Sequence, residues 1–159
     1  MITLSPLAHA EQQDDVFIGC LNLAHGRAAP AAIVRECGAV SRMPSVAIQD
    51  RVQALIEKGR AEISLQLYGA AVVTAQLAQT LLAQSRSLAG ALGTSDTRLL
   101  LADALRLQGD CKRATPEYHR VLDIDPDHRL AAIGLKECRA LPPPRGRKIA
   151  QAATGRRVP

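Results

Sequence analysis

Residues Asp96 to Pro126 read DTRLLLADALRLQGDCKRATPEYHRVLDIDP, and this stretch decides the fold class. Leu99, Leu100, Leu101, Leu105 and Leu107, with Ala102 and Ala104 between them, make a first helix apolar on more than one side. A helix buried among other helices has that character. Asp96 is placed to cap it, because a carboxylate there can accept the free amide hydrogens of the first turn. Gly109 permits the left-handed conformation that ends a helix, and Asp110 can cap the next. Ala114, Tyr118 and the pair Val121 and Leu122 then fall on one helical face. Asp125-Pro126 stops the second helix, since proline disfavours helix at its predecessor and cannot extend one itself.

The spacing resembles a tetratricopeptide repeat. Counted from Ser95, the residues Leu101-Ala102, Leu105, Gly109-Asp110, Ala114, Tyr118 and Pro126 fall on that family's pattern of large, small, aromatic and proline positions. The departures are Arg98 where a large apolar residue is usual, Val121 where a small one is usual, and Pro116 early in the second helix. The resemblance implies an all-α chain of helical hairpins stacked as a short α-solenoid that binds other proteins, as an extended peptide or a helix. On the inner face of such a hairpin the groove residues are Asp96, Leu99, Asp103, Arg106 and Leu107. Leu99 and Asp103 replace the Lys and Asn that would grip a peptide carboxylate, so that mode of binding is not expected.

A narrower resemblance covers about a third of the chain. Gly69 to Ser85 followed by Leu99 to Leu122 is similar to the N-terminal region of the seventh subunit of the anaphase-promoting complex. Asp103-Ala104-Leu105, Arg113-Ala114, Tyr118 and Leu122 carry it; the first sixty residues do not. It implies a non-catalytic structural subunit of a multiprotein ubiquitin ligase assembly. The subunit would form a homodimer through its N-terminal helices, with Leu67 to Leu82 as the dimer-facing stretch and Leu77 and Leu81 the candidate residues. The reading favoured for most of these leucines and alanines is the domain's own core.

Outward from there the signals are coarser. The 159 residues carry 2% aromatics and a net charge of +5. Apolar residues recur at helical spacing, which suits a helix stack better than a sandwich of strands. Residues 1–43 read as an irregular helical cap: one short helix from about Asp14 to Gly26, then a partner over Ala28 to Val40. Residues 44–141 form the helical domain. Ser45 caps a helix reaching about Gly59, a longer segment runs to Ser85 with Gly69 either a break between helices or a close-contact point inside one, and Leu88 to Thr94 forms a loop. The best repeat spans 95–128, with a capping helix over 128–141. Pro142-Pro143-Pro144 ends the domain, and residues 142–159 have the composition of a disordered basic tail.

That tail holds Arg145, Arg147, Lys148, Arg156 and Arg157 with no acid among them. They are the phosphate-contacting candidates of an alternative reading, an adaptor that associates with nucleic acid. The rest of the chain is near neutral, so the body itself is not expected to bind nucleic acid. There is no basic leader followed by an apolar run and no apolar stretch near 20 residues, so neither secretion nor a membrane span is expected. The expected location is intracellular, cytoplasmic or nuclear.

Catalysis finds no support. Cys20, Cys37, Cys111 and Cys138 lack zinc-ligand spacing and read as separate reduced thiols, Cys111 the most exposed. His25, His119 and His128 read as surface or capping residues, without a nucleophile and an orienting carboxylate beside them. Gly90, Gly93 and Gly109 lack the Lys-Ser/Thr of a phosphate loop. No enzyme activity and no cofactor are expected.

Overall fold

A computed structural model describes residues 6–26, 28–85 and 91–140, excepting the side chains of 6–15, 91 and 92. The described chain is all-α. In order come α1 (Pro6–His25), α2 (Pro30–Val40), α3 (Ile48–Ser64), α4 (Tyr68–Gln84), α5 (Ala91–Leu107), α6 (Cys111–Ile124) and α7 (Arg129–Ala140). The expected tail, with Arg145, Arg147, Lys148, Arg156 and Arg157, lies outside the described residues.

Within the deciding stretch the Gly109-Asp110 turn and the Asp125-Pro126 stop hold. Gly109 has φ +88, and the Asp110 side chain accepts a hydrogen bond from the Arg113 amide to start α6. His128 starts α7 in the same way, its Nδ1 accepting from the Ala131 amide at 3.3 Å. Pro30 opens α2, where its missing N–H costs nothing. At the start of α3 Ala47 rather than Ser45 is the N-cap, without a side-chain cap hydrogen bond, and four further boundaries differ from expectation. First, α1 begins at Pro6 rather than near Asp14, because Leu7 to Gln13 are mostly good helix formers that propagate it upstream. Second, α3 runs through Gly59 instead of stopping there. A Cβ on Gly59 would lie 2.5 Å from Leu100 Cδ2, so this glycine makes room for α5 against α3.

The third difference is the break that separates α3 from α4. It falls at residues 65–67, where Gln66 takes φ 60, and Gly69 belongs to the first turn of α4. The amides of Leu65, Gln66 and Leu67 bond back to Ala61, Ile63 and Glu62, which closes α3 without the usual glycine. Fourth, α5 starts at Ala91, so Gly93 and Thr94 are helical and Asp96 lies inside the helix rather than capping it.

Each helix packs on the next, and each odd-numbered helix also touches the next odd one. Among the described residues no even-numbered helix touches another. The odd helices therefore form one layer and the even helices a second, with α1 and α2 continuing the same order. Alanine makes this close packing possible. Ala54, Ala71, Ala75, Ala78, Ala102, Ala104, Ala114 and Ala131 are fully buried between helices. The larger core residues fill the gaps: Leu55 and Ile56 on α3, Leu100 and Leu105 on α5, Tyr118 on α6.

The cysteines are not separate thiols. Cys20 on α1 is bonded to Cys37 on α2, and Cys111 on α6 to Cys138 on α7, leaving no free cysteine. The Cα atoms stand 5.0 and 5.2 Å apart, inside the range that a disulfide spans without backbone movement. Both pairs join neighbouring helices at an end of the chain's helix order, α1 to α2 and α6 to α7. Cysteines 17 and 27 residues apart show no local motif; only the antiparallel pairing of their helices brings them together.

Candidate protein-interaction surface

The predicted groove residues lie on α5, and the structure commits most of them internally. Leu99 is only 7% exposed and belongs to the core. Asp103 Oδ1 accepts a 2.6 Å hydrogen bond from the Tyr118 hydroxyl of α6. Arg106 donates through Nε to that hydroxyl at 2.9 Å, lies 3.5 Å from Asp103, and pairs with Glu137 of α7 at 2.7 Å. Asp96 stands 3.6 Å from Arg60 of α3, which also pairs with the buried Glu57. Only Leu107 presents apolar surface here.

These contacts tie α5 to α3, α6 and α7. Tyr118 is the centre: its side chain is fully buried, and its ring lies directly over Gly134 of α7, where any Cβ would collide with it. Burial raises the Tyr118 pKa above the usual tyrosine value, and the hydrogen bond to the Asp103 carboxylate adds to the rise. Arg106 works against it, but less strongly. For Arg106, burial lowers the pKa, yet the Tyr118 hydrogen bond and the Asp103 and Glu137 charges outweigh it and the net shift is upward. The phenol is thus neutral and the guanidinium charged, the states in which the hydroxyl donates to Asp103 while accepting from Arg106 Nε. Arg98 has a similar explanation. Where a large apolar residue was expected, its guanidinium reaches Glu117 of α6 at 3.0 Å, replacing an apolar contact by an ion pair.

Exposed apolar residues lie on α4, and also on α1 (Ile18) and α7 (Leu130 and Ile133). The two residues predicted for self-association part company: Leu81 is 8% exposed and packs with Val52, Leu55, Ile56 and Ala78, whereas Leu77 is 46% exposed. Val73 is 64% exposed and Leu67 49%. The exposed residues Ala70, Val73, Leu77, Thr80 and Gln84 recur at alternating steps of three and four, one stripe along the helix. No charged residue occurs between Glu62 and Arg86. On the other even helices the exposed residues include charged ones, Arg35 on α2 and Lys112, Arg113 and Arg120 on α6. Val73 falls within the Leu67 to Leu82 stretch expected to face a dimer, but reading the sequence singled out Leu77 and Leu81 rather than Val73.

Other chemistry is thin. Among the described residues no group of three or more His, Cys, Asp or Glu is placed to hold a metal ion. Nor is any helix among them long and apolar enough to cross a membrane. No family model matches the chain, and a search of curated proteins finds no match.

Proposed function

We propose that this chain is a non-catalytic protein–protein interaction scaffold, built of tetratricopeptide-like hairpins stacked as a short α-solenoid. The alternation of contacts supports the solenoid: odd helices touch odd helices in one layer, and even helices stand apart in the other. The single observation that carries the scaffold reading is α4, which bears no charge on either face, is covered on one, and leaves Val73 and Leu77 exposed on the other. A helix hydrophobic all round is normally buried all round. Its free stripe is therefore the docking surface, and the internally paired α5 side chains are structural.

The reading is tested by affinity purification of the tagged chain from its source organism, beside the double variant Val73→Glu, Leu77→Glu. Proteins retained by the wild type and lost from the folded variant support it; identical sets of bound proteins overturn it.

The disulfides bear on where the scaffold works. Paired cysteines persist in oxidising compartments and are rare in the reduced cytosol and nucleus. We therefore favour an oxidising site of action over the intracellular one expected from the sequence. A role in an intracellular ubiquitin ligase assembly draws no support from these cystines. Alkylation of the protein in its source cells before lysis tests this: four blocked thiols would return it to the cytosol or nucleus.

A further inference from the structure

We infer that a cavity between α4 and α5 is a binding site for a small carboxylate, held by Gln79 and Arg98. It uses other residues of α4 than the docking stripe, so the two readings stand or fall separately. The cavity measures about 340 Å³ and is lined by Gln79, Leu82 and Ala83 of α4 and by Thr94, Thr97 and Arg98 of α5. That is near the small end of the range for small-molecule sites, about 300 to 1,000 Å³. The first argument is an orphaned donor. Gln79 Nε2 is buried and has no hydrogen-bond partner among the described residues. A buried amide left unpaired is costly, so this one calls for an acceptor from outside the chain.

The second argument is charge. Arg98 is the one cation among the lining residues, and no acid stands with it. Its Nη1 lies 3.0 Å from Glu117 of α6. The other oxygen of that carboxylate binds Arg120. One carboxylate between two guanidiniums leaves a positive charge in excess, and neither arginine pairs with another acid among the described residues. The acids on α5 are engaged elsewhere, Asp96 by Arg60 and Asp103 by Tyr118 and Arg106. The Arg98 side chain is 29% exposed, so its charge is screened less than one in open solvent.

The third argument is the match of the wall to a ligand. Its polar offer is of donors: the Gln79 amide, and a guanidinium with more N–H groups than the one that meets Glu117. The Thr97 hydroxyl already donates to the Thr94 carbonyl at 3.2 Å. An anion with two acceptor oxygens suits a guanidinium beside an amide. Leu82 and Ala83 add an apolar wall for a short hydrocarbon chain, which inorganic phosphate lacks. Arg98 is also where the chain departs from the repeat pattern, so the site owes nothing to the repeat itself.

The test is an NMR titration of the full chain with sodium butanoate at constant ionic strength, up to about 50 mM, which brackets millimolar affinity. Such affinity is what a ligand of about six non-hydrogen atoms supports. Butanoate should shift the Gln79 side-chain amide and the backbone amides of Thr97 and Arg98, with saturation. Butan-1-ol and inorganic phosphate should not. Arg98→Met and Gln79→Met keep side-chain length and should each weaken binding about tenfold, the loss of one hydrogen bond to a charged group. Glu117→Gln should act in the opposite sense and tighten binding severalfold, because it leaves both arginines unneutralised; an Arg98 that serves packing alone gives no such gain. If Arg98→Met does not fold, the Gln79 and Glu117 variants still decide. Absence of wild-type shifts at the highest concentration overturns the site, water alone then serving the amide. Equal binding of butan-1-ol or phosphate overturns the carboxylate assignment. Binding unchanged in Gln79→Met, or weakened in Glu117→Gln, overturns the roles given to these residues.

Discussion

Reduction of the two disulfides is the perturbation whose magnitude follows most directly from the structure. The bonds close segments of 17 and 27 residues. In the loop-closure description, cross-links of this span remove unfolded-state entropy worth about 3 and about 3.5 kcal/mol. The two segments do not overlap and lie in different helix pairs, so the contributions should add. Their sum, about 6 to 7 kcal/mol, is comparable with the whole stability of many domains, about 5–15 kcal/mol. Reduced thiols at positions 20 and 37 would remain fully buried, where they pack as small apolar groups, so the native state itself loses little. The assay is urea unfolding followed by circular dichroism, with and without a phosphine reductant. With a slope of about 2 kcal/mol per molar urea, the midpoint should fall by roughly 3 M. Cys20→Ala with Cys37→Ala, and Cys111→Ala with Cys138→Ala, should each account for about half. A midpoint that moves by less than about 0.5 M, or free thiols titrated in the unreduced, urea-unfolded protein, would refute the reasoning.

Tyr118→Phe should cost about 1–2 kcal/mol, because Asp103 loses its donor from the buried hydroxyl; urea melts measure it. The same residue sets an alkaline limit. Burial holds the folded-state phenol protonated above its ordinary pKa of 10.0, so the unfolded chain releases that proton first. The contribution is complete below that value and is lost as pH rises beyond it towards the raised folded-state pKa, so wild-type stability should fall from about pH 10 upward, more steeply than that of Tyr118→Phe. Gly134→Ala should destabilise by about 1–3 kcal/mol, since the new methyl meets the Tyr118 ring. Gly19→Ala, with nothing within 4 Å, should instead stabilise α1 by about 0.5–1 kcal/mol in the same melts. Leu81→Ala should cost about 2–5 kcal/mol and Leu77→Ala less than about 0.5 kcal/mol; equal effects would contradict their different exposure.

How much of this was legible in advance depended on the range of the interaction. Gly109, Asp110, Pro126 and His128 act on backbone within a few residues of themselves, and all could be read as helix ends. Gly59 and Gln66 could not. One is a glycine that does not stop its helix because Leu100, forty-one positions later, needs the space. The other takes a left-handed conformation without a glycine because the returning amide bonds hold it there. The groove candidates on α5 were found, but the hydrogen bonds that occupy Asp103 and Arg106 come from Tyr118 and Glu137, on two other helices.

The amino-acid sequence by itself determined that the chain is helical, where most helices turn, and that α4 carries no charge. Those properties are local: propensity, capping and composition act within a turn or two. The tertiary structure decided which side of α4 is core and which is free, since a helix without a charged face has no polar phase by which to orient it. It also decided that four separate cysteines are two bonds, and that a tyrosine, an aspartate and an arginine form one group. Each of these depends on a distance between helices, and that distance exists only once they have packed.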